Sequence, residues 1–261
     1  MFVITCNLAY RRIMFLLGVS FLCGGFFLAE NRPFVGQDSP DRETLFQIST
    51  MNALLAGAFD GEKTIGELKK HGDFGIGATD KLDGEMIALD GEFYRFNVLG
   101  QAFPVSDFMK TPSAAVTFFD GDESLAIENG PIDFSTFRKS MDAMITNKDI
   151  FYAIRIKGEF ESLVIRGVPA LKKSFRKLDE VLRNEQKIRD FHNLKGTMVG
   201  FWYPRYVGGI NIPGYHFHFI TKDRKRGGHV LDCRLINGEI RIDRTRKIHI
   251  ELLESINRDV P

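Results

Sequence analysis

The chain has 261 residues, enough for one large domain or two smaller ones, each with a core. Hydrophobic residues make up 44% of it and charged residues 26%, a balance typical of a globular protein. The formal net charge is +1, which gives no electrostatic basis for binding nucleic acid.

The first 30 residues differ in character from the rest. Arg11 and Arg12 precede an apolar run over residues 13–29, which is the order of an export signal. The run is slightly short for a membrane span, and an uncleaved membrane anchor is the alternative. We therefore predict an exported protein, periplasmic or secreted. It would be cytoplasmic if translation begins at Met14 or later.

A linker is predicted over residues 31–43, which are rich in Pro, Gly and charge. Thr64, followed three residues later by Glu67, forms a capping-box pattern that predicts a short helix over Thr64–His71. Asp90-Gly91 predicts a tight hairpin turn. Strands with alternating or buried character are predicted at Leu45–Ser49, Phe74–Gly77, Glu85–Leu89 and Glu92–Val98.

The second half is also rich in strands. Apolar residues at helical spacing predict a helix over Asp133–Asn147, and a charged helix is predicted over Ser174–Asn184, extending towards Arg189. The predicted strands are Phe151–Gly158, Phe160–Arg166, Met198–Tyr203, Gly214–Thr221, His229–Ile236 and Glu239–Asp243.

This order of elements predicts an α/β protein of α+β character. We expect two packed, mixed but mainly antiparallel β-sheets with few flanking helices. The weakest point of the pattern lies around residues 167–195. We therefore place an N-terminal sheet region at 44–168 and a C-terminal metal-binding sheet region at 169–261, together forming one unit.

Three of the six histidines fall within fourteen residues. His216 and His218 alternate with Tyr215, Phe217 and Phe219, so a strand here would project both imidazoles from one face. The polar, glycine-rich segment 222–228 predicts a hairpin turn that brings back the next histidine, His229.

Three neutral imidazoles with an open position are typical of a catalytic zinc site. A strand with His-x-His can also simply line a polar sheet face, but the third histidine favours a metal. No thiolate is nearby, so iron, nickel and cobalt are alternatives to zinc and copper(I) is disfavoured. Cys6 and Cys23 lie in the leader, which leaves Cys233 alone and predicts no intrachain disulfide in the mature chain. His71, His192 and His249 read as surface or structural residues.

Two further residues have open interpretations. Glu85 follows a turn and begins an apolar strand, where it could be a metal ligand, a proton-transfer group or a solvent-facing residue. Arg166 ends a strand and could hold a carboxylate through paired hydrogen bonds, or lie on the surface. From spacing alone, the surface interpretation is favoured for both.

The sequence resembles the alpha-acetolactate decarboxylases in several colinear stretches. These are Thr64–Gly77 (TIGELKKHGDFGIG) with Leu82-Asp83-Gly84-Glu85-Met86, then Arg166-Gly167-Val168-Pro169, and then Gly208–Phe219 (GGINIPGYHFHF) with Asp223-Arg224-Lys225 and Gly227–Asp232 (GGHVLD). These stretches, which begin at Thr64 and end at Asp232, are distributed over nearly all of the chain from about residue 44 to 240. The family's usual Thr after Gly-Leu-Gly is replaced here by Ala78.

The resemblance implies a zinc site on His216, His218, His229 and Glu85. It also implies that Arg166 and Glu85 are the catalytic residues. It implies zinc-dependent decarboxylation of 2-acetolactate to acetoin, in the acetoin and butanediol pathway, and a homodimer. Family members supply a second glutamate ligand from a C-terminal tail, and no residue here aligns with it.

Two alternatives to this activity stay open from the sequence. One is an exported homologue that binds a metal or a keto acid with weak or no turnover. The other is a different metal-dependent enzyme that uses the same histidine hairpin. Zinc content measured together with acetoin formation separates the three.

Overall fold

The computed structural model describes residues 41–171 and 176–254. Their β-strands are, in chain order, β1 (Thr44–Ile48), β2 (Lys63–Thr64), β3 (Phe74–Ala78), β4 (Glu85–Leu89), β5 (Glu92–Phe96), β6 (Ala102–Pro104), β7 (Lys110–Thr111), β8 (Ser113–Thr117), β9 (Glu123–Ile127), β10 (Ile132–Asp133), β11 (Phe151–Gly167), β12 (Lys187–Tyr203), β13 (Gly214–Thr221), β14 (Gly227–Thr245) and β15 (Lys247–Glu251).

The helices of the described residues are short and begin at side-chain caps where the sequence offers them. Thr50, Thr64 and Asp133 each accept a hydrogen bond from a backbone N–H of the first turn that follows. The capping box of Thr64 and Glu67 is present as predicted. The α-helices are α1 (Met51–Ala56), α2 (Ile65–Leu68), α3 (Phe134–Met144) and α4 (Leu178–Glu185), and 3₁₀ turns lie at Asp80–Leu82 and Arg205–Val207.

The first sheet has seven strands in the order β15-β1-β8-β3-β4-β5-β6. All its pairings are antiparallel except that of β1 with β15. The predicted turn at Asp90-Gly91 joins β4 to β5, and both residues have positive φ, of 57° and 78°. This is the backbone of a primed hairpin turn, so the prediction is confirmed.

The second sheet is built on four long strands. β11 pairs with β12 and β14, β12 pairs with β13, and β13 pairs with β14, so the pairings close on themselves. The outer strands β9 and β10 add to β14. Closure fixes the positions of β13 and β14 from both sides, and these two strands carry the three neighbouring histidines.

Two predicted strand breaks are wrong. Phe151–Gly158 and Phe160–Arg166 are one strand, β11, and the strands predicted on either side of residues 237–238 are also one strand, β14. Gly158 and Gly238 pair with each other in mid-strand. A Cβ on Gly158 would lie 2.3 Å from the carbonyl oxygen of Asn237, and the register of β11 with β14 shifts between Glu159 and Ser162. The glycine that suggested a turn is therefore needed because the two backbones approach closely beside a strand irregularity.

The predicted charged helix is shorter than expected and does not extend towards Arg189. α4 ends at Glu185, and β12 begins at Lys187. The first half of β12 pairs with residues 162–167 of β11, so long-range pairing overrides the charged local pattern. Residues 172–175, at the predicted start of this helix, lie outside the described residues.

The two sheets pack face to face, as expected for this fold class. The core between them joins Phe74, Ile76 and Ile87 of the first sheet to Val199, Phe201 and Ile220 of the second. A second core lies on the other face of the second sheet, where α3 packs, and a third covers the first sheet with α2. Side chains buried between the sheets are therefore contributed by β4 on one side and by β12 and β13 on the other.

The division between the sheets is not the predicted boundary at residues 168/169. β9, β10 and β11 precede that boundary but belong to the second sheet, whereas β15 follows it and belongs to the first. The physical reason is that β11 forms its long antiparallel pairings with β12 and β14. The described residues group as one compact unit.

The predicted leader and most of the predicted linker fall within residues 1–40, outside the described residues. Within the described ranges, every helix is too short or too polar to cross a membrane.

The close contact of β12 with β13 gives a test of the fold beneath the histidines. A Cβ on Gly200 would lie 2.0 Å from the carbonyl oxygen of His216, so Gly200→Ala must displace the strand that carries that histidine. We expect a loss of about 3 kcal/mol in the free energy of unfolding, measured by urea denaturation. Gly208→Ala is the matched control, because its nearest atom lies 3.9 Å away. Equal stability of the two variants would contradict this packing.

Candidate metal centre

The strand β13 presents its side chains as its sequence predicts. His216 and His218 face the first sheet, since they pair with Phe201 and Val199, which lie in the core between the sheets. Tyr215, Phe217 and Phe219 face the opposite core. The Tyr215 hydroxyl donates a hydrogen bond to Asp142 of α3 at 2.7 Å, which anchors that face.

The hairpin from β13 to β14 returns His229 to the other two histidines. Thr221 stabilises the turn: its N–H donates to the Arg226 carbonyl at 2.8 Å and its hydroxyl donates to Asp223 at 2.6 Å. His229 then pairs directly with His218 across the two strands. The predicted hairpin is therefore confirmed.

The ring nitrogens of the three histidines converge. One ligand atom from each lies within 4.8 Å of the other two, and His216 Nε2 is 3.2 Å from His229 Nδ1. In a tetrahedral zinc site with Zn–N bonds near 2.0–2.1 Å, ligand nitrogens are separated by about 3.3 Å. The separation of His216 Nε2 and His229 Nδ1 is thus close to what a metal requires.

His218 shows which of its nitrogens is available. Its Nδ1 donates a hydrogen bond to the Met86 carbonyl at 2.7 Å, so Nε2 carries the lone pair. That Nε2 atom is buried and has no hydrogen-bond partner among the described residues. A backbone carbonyl on one ring nitrogen is the usual arrangement that orients a metal-binding histidine. The donor set therefore fits a divalent metal.

Glu85 reaches this cluster from the first sheet. The loop before it is held by Thr79, whose hydroxyl donates to the Asp83 carbonyl at 2.7 Å. The Glu85 carboxylate lies 3.5 Å from His218 Nε2 and 3.9 Å from His229 Nδ1. Burial raises the pKa of Glu85, although Arg166 and His216 act in the opposite direction.

Arg166 approaches from β11, where it pairs with His229 of β14. Its Nε lies 3.9 Å from a Glu85 carboxylate oxygen, too far for a hydrogen bond. Nε is buried and has no partner among the described residues. The site therefore holds a buried guanidinium N–H that is free to donate to an anionic ligand.

Burial also decides the charge of the histidines. It lowers the pKa of His216 to about 3 and that of His218 to about 4. It lowers the pKa of His229 well below its usual value, with Arg166 adding to the effect. All three imidazoles are therefore neutral near pH 7, the form that binds a metal.

Two cavities flank the cluster, and Glu85 and His216 line both. We call the first the Arg166 chamber. Apart from Arg166 and His229, its walls are mainly apolar and include Leu82, Val168, Leu178, Leu182 and Ile212. The second cavity, which we call the Tyr203 chamber, is more polar. The residues that line only this cavity include Gln47, Ile76, Ser113, Ala114, Tyr203 and Asn211.

Sequence reasoning missed several of these lining residues. α1 contributes Met51 and Leu54 to both chambers and was not predicted. A signal for it exists, because Thr50 caps its start and Gly57, in the left-handed conformation, caps its end. Tyr203 and the Met86 carbonyl have no comparable local signal.

Five predicted site residues lie together: Glu85, Arg166, His216, His218 and His229. Their chemical roles stay predictions. The other histidines lie elsewhere: His71 stacks on Phe46 with ring centroids 3.8 Å apart, and the side chains of His192 and His249 are 61% and 57% exposed. The glutamates at the C-terminal end of the described residues also have partners outside the cluster. Glu251, the last residue of β15, pairs with Lys63 at 2.6 Å. The Glu254 N–H donates to Glu62.

Comparison with known proteins gives one consistent family. Residues 45–257 match the family model described as alpha-acetolactate decarboxylase. The alpha-acetolactate decarboxylase of Methanosarcina mazei is 42% identical over 210 residues, covering 80% of this chain and 72% of that protein. The one from Bacillus subtilis strain 168 is 39% identical over 217 residues, covering 83% and 84%. Its crystal structure superposes with a TM-score of 0.78, covering 81% of this chain and 90% of that one.

The low pKa values of the buried histidines predict how stability depends on pH. As pH falls below about 6.5, the unfolded chain takes up protons on histidines that stay neutral in the folded protein, so stability falls towards pH 4. In chelator-treated protein, His218→Gln should reduce this slope by roughly 1 kcal/mol per pH unit. Denaturant titrations at several pH values measure it. The raised pKa of Glu85 changes stability with pH in the opposite sense. Because Glu85 is present in both proteins, its contribution cancels when their slopes are compared.

His192→Gln is the control for this slope, since its imidazole is largely exposed. An unchanged slope in the His218 variant would show that burial does not hold that imidazole neutral.

Proposed function

Because the chain belongs to the alpha-acetolactate decarboxylase family, a family of lyases, we propose that it converts 2-acetolactate to acetoin and CO₂ with zinc as its metal. The observation that supports this best is the convergence of three neutral imidazoles, a carboxylate and a free guanidinium N–H at one buried cluster. His216, His218 and His229 would hold the zinc, with Glu85 as a fourth ligand.

The substrate explains why such a cluster is suitable. Its carboxylate is β to a ketone, so breaking the bond to CO₂ moves an electron pair towards the ketone oxygen. Zinc, when bound, supplies a Lewis acid that stabilises negative charge on substrate oxygens.

Arg166 is the proposed binding group for the substrate carboxylate. Its unpaired Nε and the apolar walls of the Arg166 chamber create a place where a carboxylate gains a charge-assisted hydrogen bond away from water. The same walls favour release of uncharged CO₂. Arg166 thereby orients the scissile bond and stabilises negative charge beside it.

Glu85 would complete the metal shell, or act as the proton carrier when its carboxyl is not bound to the metal. After CO₂ leaves, the carbon that held it must gain a proton to give acetoin. A carboxyl whose pKa is raised by burial can hold and release a proton nearer to neutral pH than an exposed glutamate can. Glu85 lines both chambers, so it lies beside substrate bound in either.

Two properties of the whole protein are proposed on other grounds. The family resemblance suggests a homodimer, and the basic and apolar N-terminal sequence suggests export, with cleavage or membrane anchoring of residues 13–29 as the alternatives.

The metal assignment is tested by His216→Ala. We expect it to abolish both bound zinc, measured by elemental analysis of purified protein, and acetoin formation in a colorimetric assay. His192→Ala should retain both. Full acetoin formation by the His216 variant would contradict the proposal, and zinc without acetoin in the unaltered protein would favour a binding protein or a different metal enzyme.

The arginine is tested separately from the metal. Arg166→Gln should lower kcat/KM for acetolactate by about 100-fold, the cost of leaving a buried carboxylate unpaired, while zinc content stays unchanged. Arg234→Gln on β14 is the control, since that guanidinium pairs with Glu161 and is half exposed. Loss of activity only in parallel with loss of zinc would assign Arg166 to holding the metal site together.

A further inference from the structure

The hydroxyl of Tyr203 is a buried donor that the proposed mechanism leaves unused. Tyr203 ends β12 and is only 1% exposed. Its hydroxyl proton has no acceptor among the described residues. A buried hydroxyl proton without an acceptor costs free energy, and a phenylalanine would fill the same space without that cost. The presence of a hydroxyl at this position therefore indicates that it binds a ligand.

The position of Tyr203 in the fold indicates which ligand its hydroxyl would bind. Tyr203 lies on the face of β12 that packs between the sheets, and its side chain lines the Tyr203 chamber with Glu85, His216 and His218. Arg166 lines only the other chamber. A substrate whose carboxylate lies at Arg166 and whose centre lies at the histidines therefore has its remaining oxygens on the side of Tyr203.

The neighbouring polar groups of this chamber are already engaged. Gln47 donates to the carbonyls of Ser49 and Ile210 at 2.8 and 2.9 Å and accepts from Asn211 at 3.0 Å. Asn211 accepts in turn from the Ile212 N–H at 2.8 Å. Ser113 is only partly buried. Among these, Tyr203 is the fully buried group whose hydroxyl proton has no acceptor among the described residues.

We propose that the Tyr203 hydroxyl donates a hydrogen bond to the ketone or hydroxyl oxygen of the bound hydroxy keto acid, an inference that rests on the proposed function. Burial raises the pKa of Tyr203, and a side-chain hydrogen bond from the Asn211 amide acts in the opposite direction. An amide N–H that lowers the pKa of a phenol donates to the phenol oxygen, so the hydroxyl stays protonated and its own proton remains available to donate. A donor at an oxygen that gains negative charge assists the reaction, because the hydrogen bond strengthens as the charge develops.

Tyr203→Phe is the test, with Tyr152→Phe as the matched control. Tyr152 is also fully buried, but its hydroxyl donates to the Asn147 carbonyl and accepts from the Asn147 N–H. The readouts are kcat and KM for acetolactate, zinc content, melting temperature and calorimetric affinity. The affinity probe is 2,3-dihydroxy-2-methylbutanoate, an analogue that has an alcohol in place of the ketone and cannot lose CO₂ by the same route.

For Tyr203→Phe we expect kcat/KM and affinity for the analogue to fall about fivefold, the size of one neutral hydrogen bond. Zinc content should be unchanged and the melting temperature should not fall. Tyr152→Phe should show the reverse pattern, with a lower melting temperature and normal kinetics. Unchanged kinetics and affinity in Tyr203→Phe would overturn the proposal, as would a loss explained by lower stability or zinc content. Absence of acetolactate turnover in the unaltered protein would instead overturn the proposed function, and this inference with it.

Discussion

The hydrogen bond from His218 Nδ1 to the Met86 carbonyl is the contact on which the site depends. It joins β13 of one sheet to β4 of the other in a buried position, and it fixes the tautomer that leaves His218 Nε2 as an acceptor. Glu85 precedes Met86 in the same strand, so the bond that orients the imidazole also sets the distance of the carboxylate, 3.5 Å from Nε2. Sheet packing and metal geometry are therefore one constraint.

Burial then sets the charges around this contact. The three imidazoles stay neutral because an imidazolium would be poorly solvated there. Among the described residues, Arg166 is the cation that pairs with Glu85, at 3.9 Å, and the two are too far apart to form a hydrogen bond. A pair held at this separation can receive further charged groups, a metal cation near the carboxylate and a substrate anion near the guanidinium. Tight pairing of the two residues would leave neither free for a ligand.

Local signals in the sequence predicted local structure well. The bounds of β4 and β13, the Asp90-Gly91 turn and the facing of His216 and His218 all follow from periodicity and turn chemistry. Periodicity and turn chemistry do not show which face of β4 is covered by a second sheet. For that reason Glu85 is interpreted as a surface residue until the family resemblance is considered. Gly158 and Gly238 were misread because a glycine at a close backbone contact looks the same in sequence as a glycine in a turn. Tyr203 becomes a site residue only through the pairing of β12 with β13 and the packing of the sheets.

The unpaired polar atoms show how the site is arranged. Five buried side-chain atoms leave a proton or a lone pair without a partner among the described residues, and three of them are Arg166 Nε, His218 Nε2 and Tyr203 Oη. The other two belong to Ser49 and Thr245, which line neither chamber. Folded proteins pair nearly all their buried polar groups, so three exceptions among the residues that line the two chambers make these groups candidates for binding a ligand. A cationic donor, a lone pair and a neutral donor are the groups that would bind a molecule with both a carboxylate and uncharged oxygens.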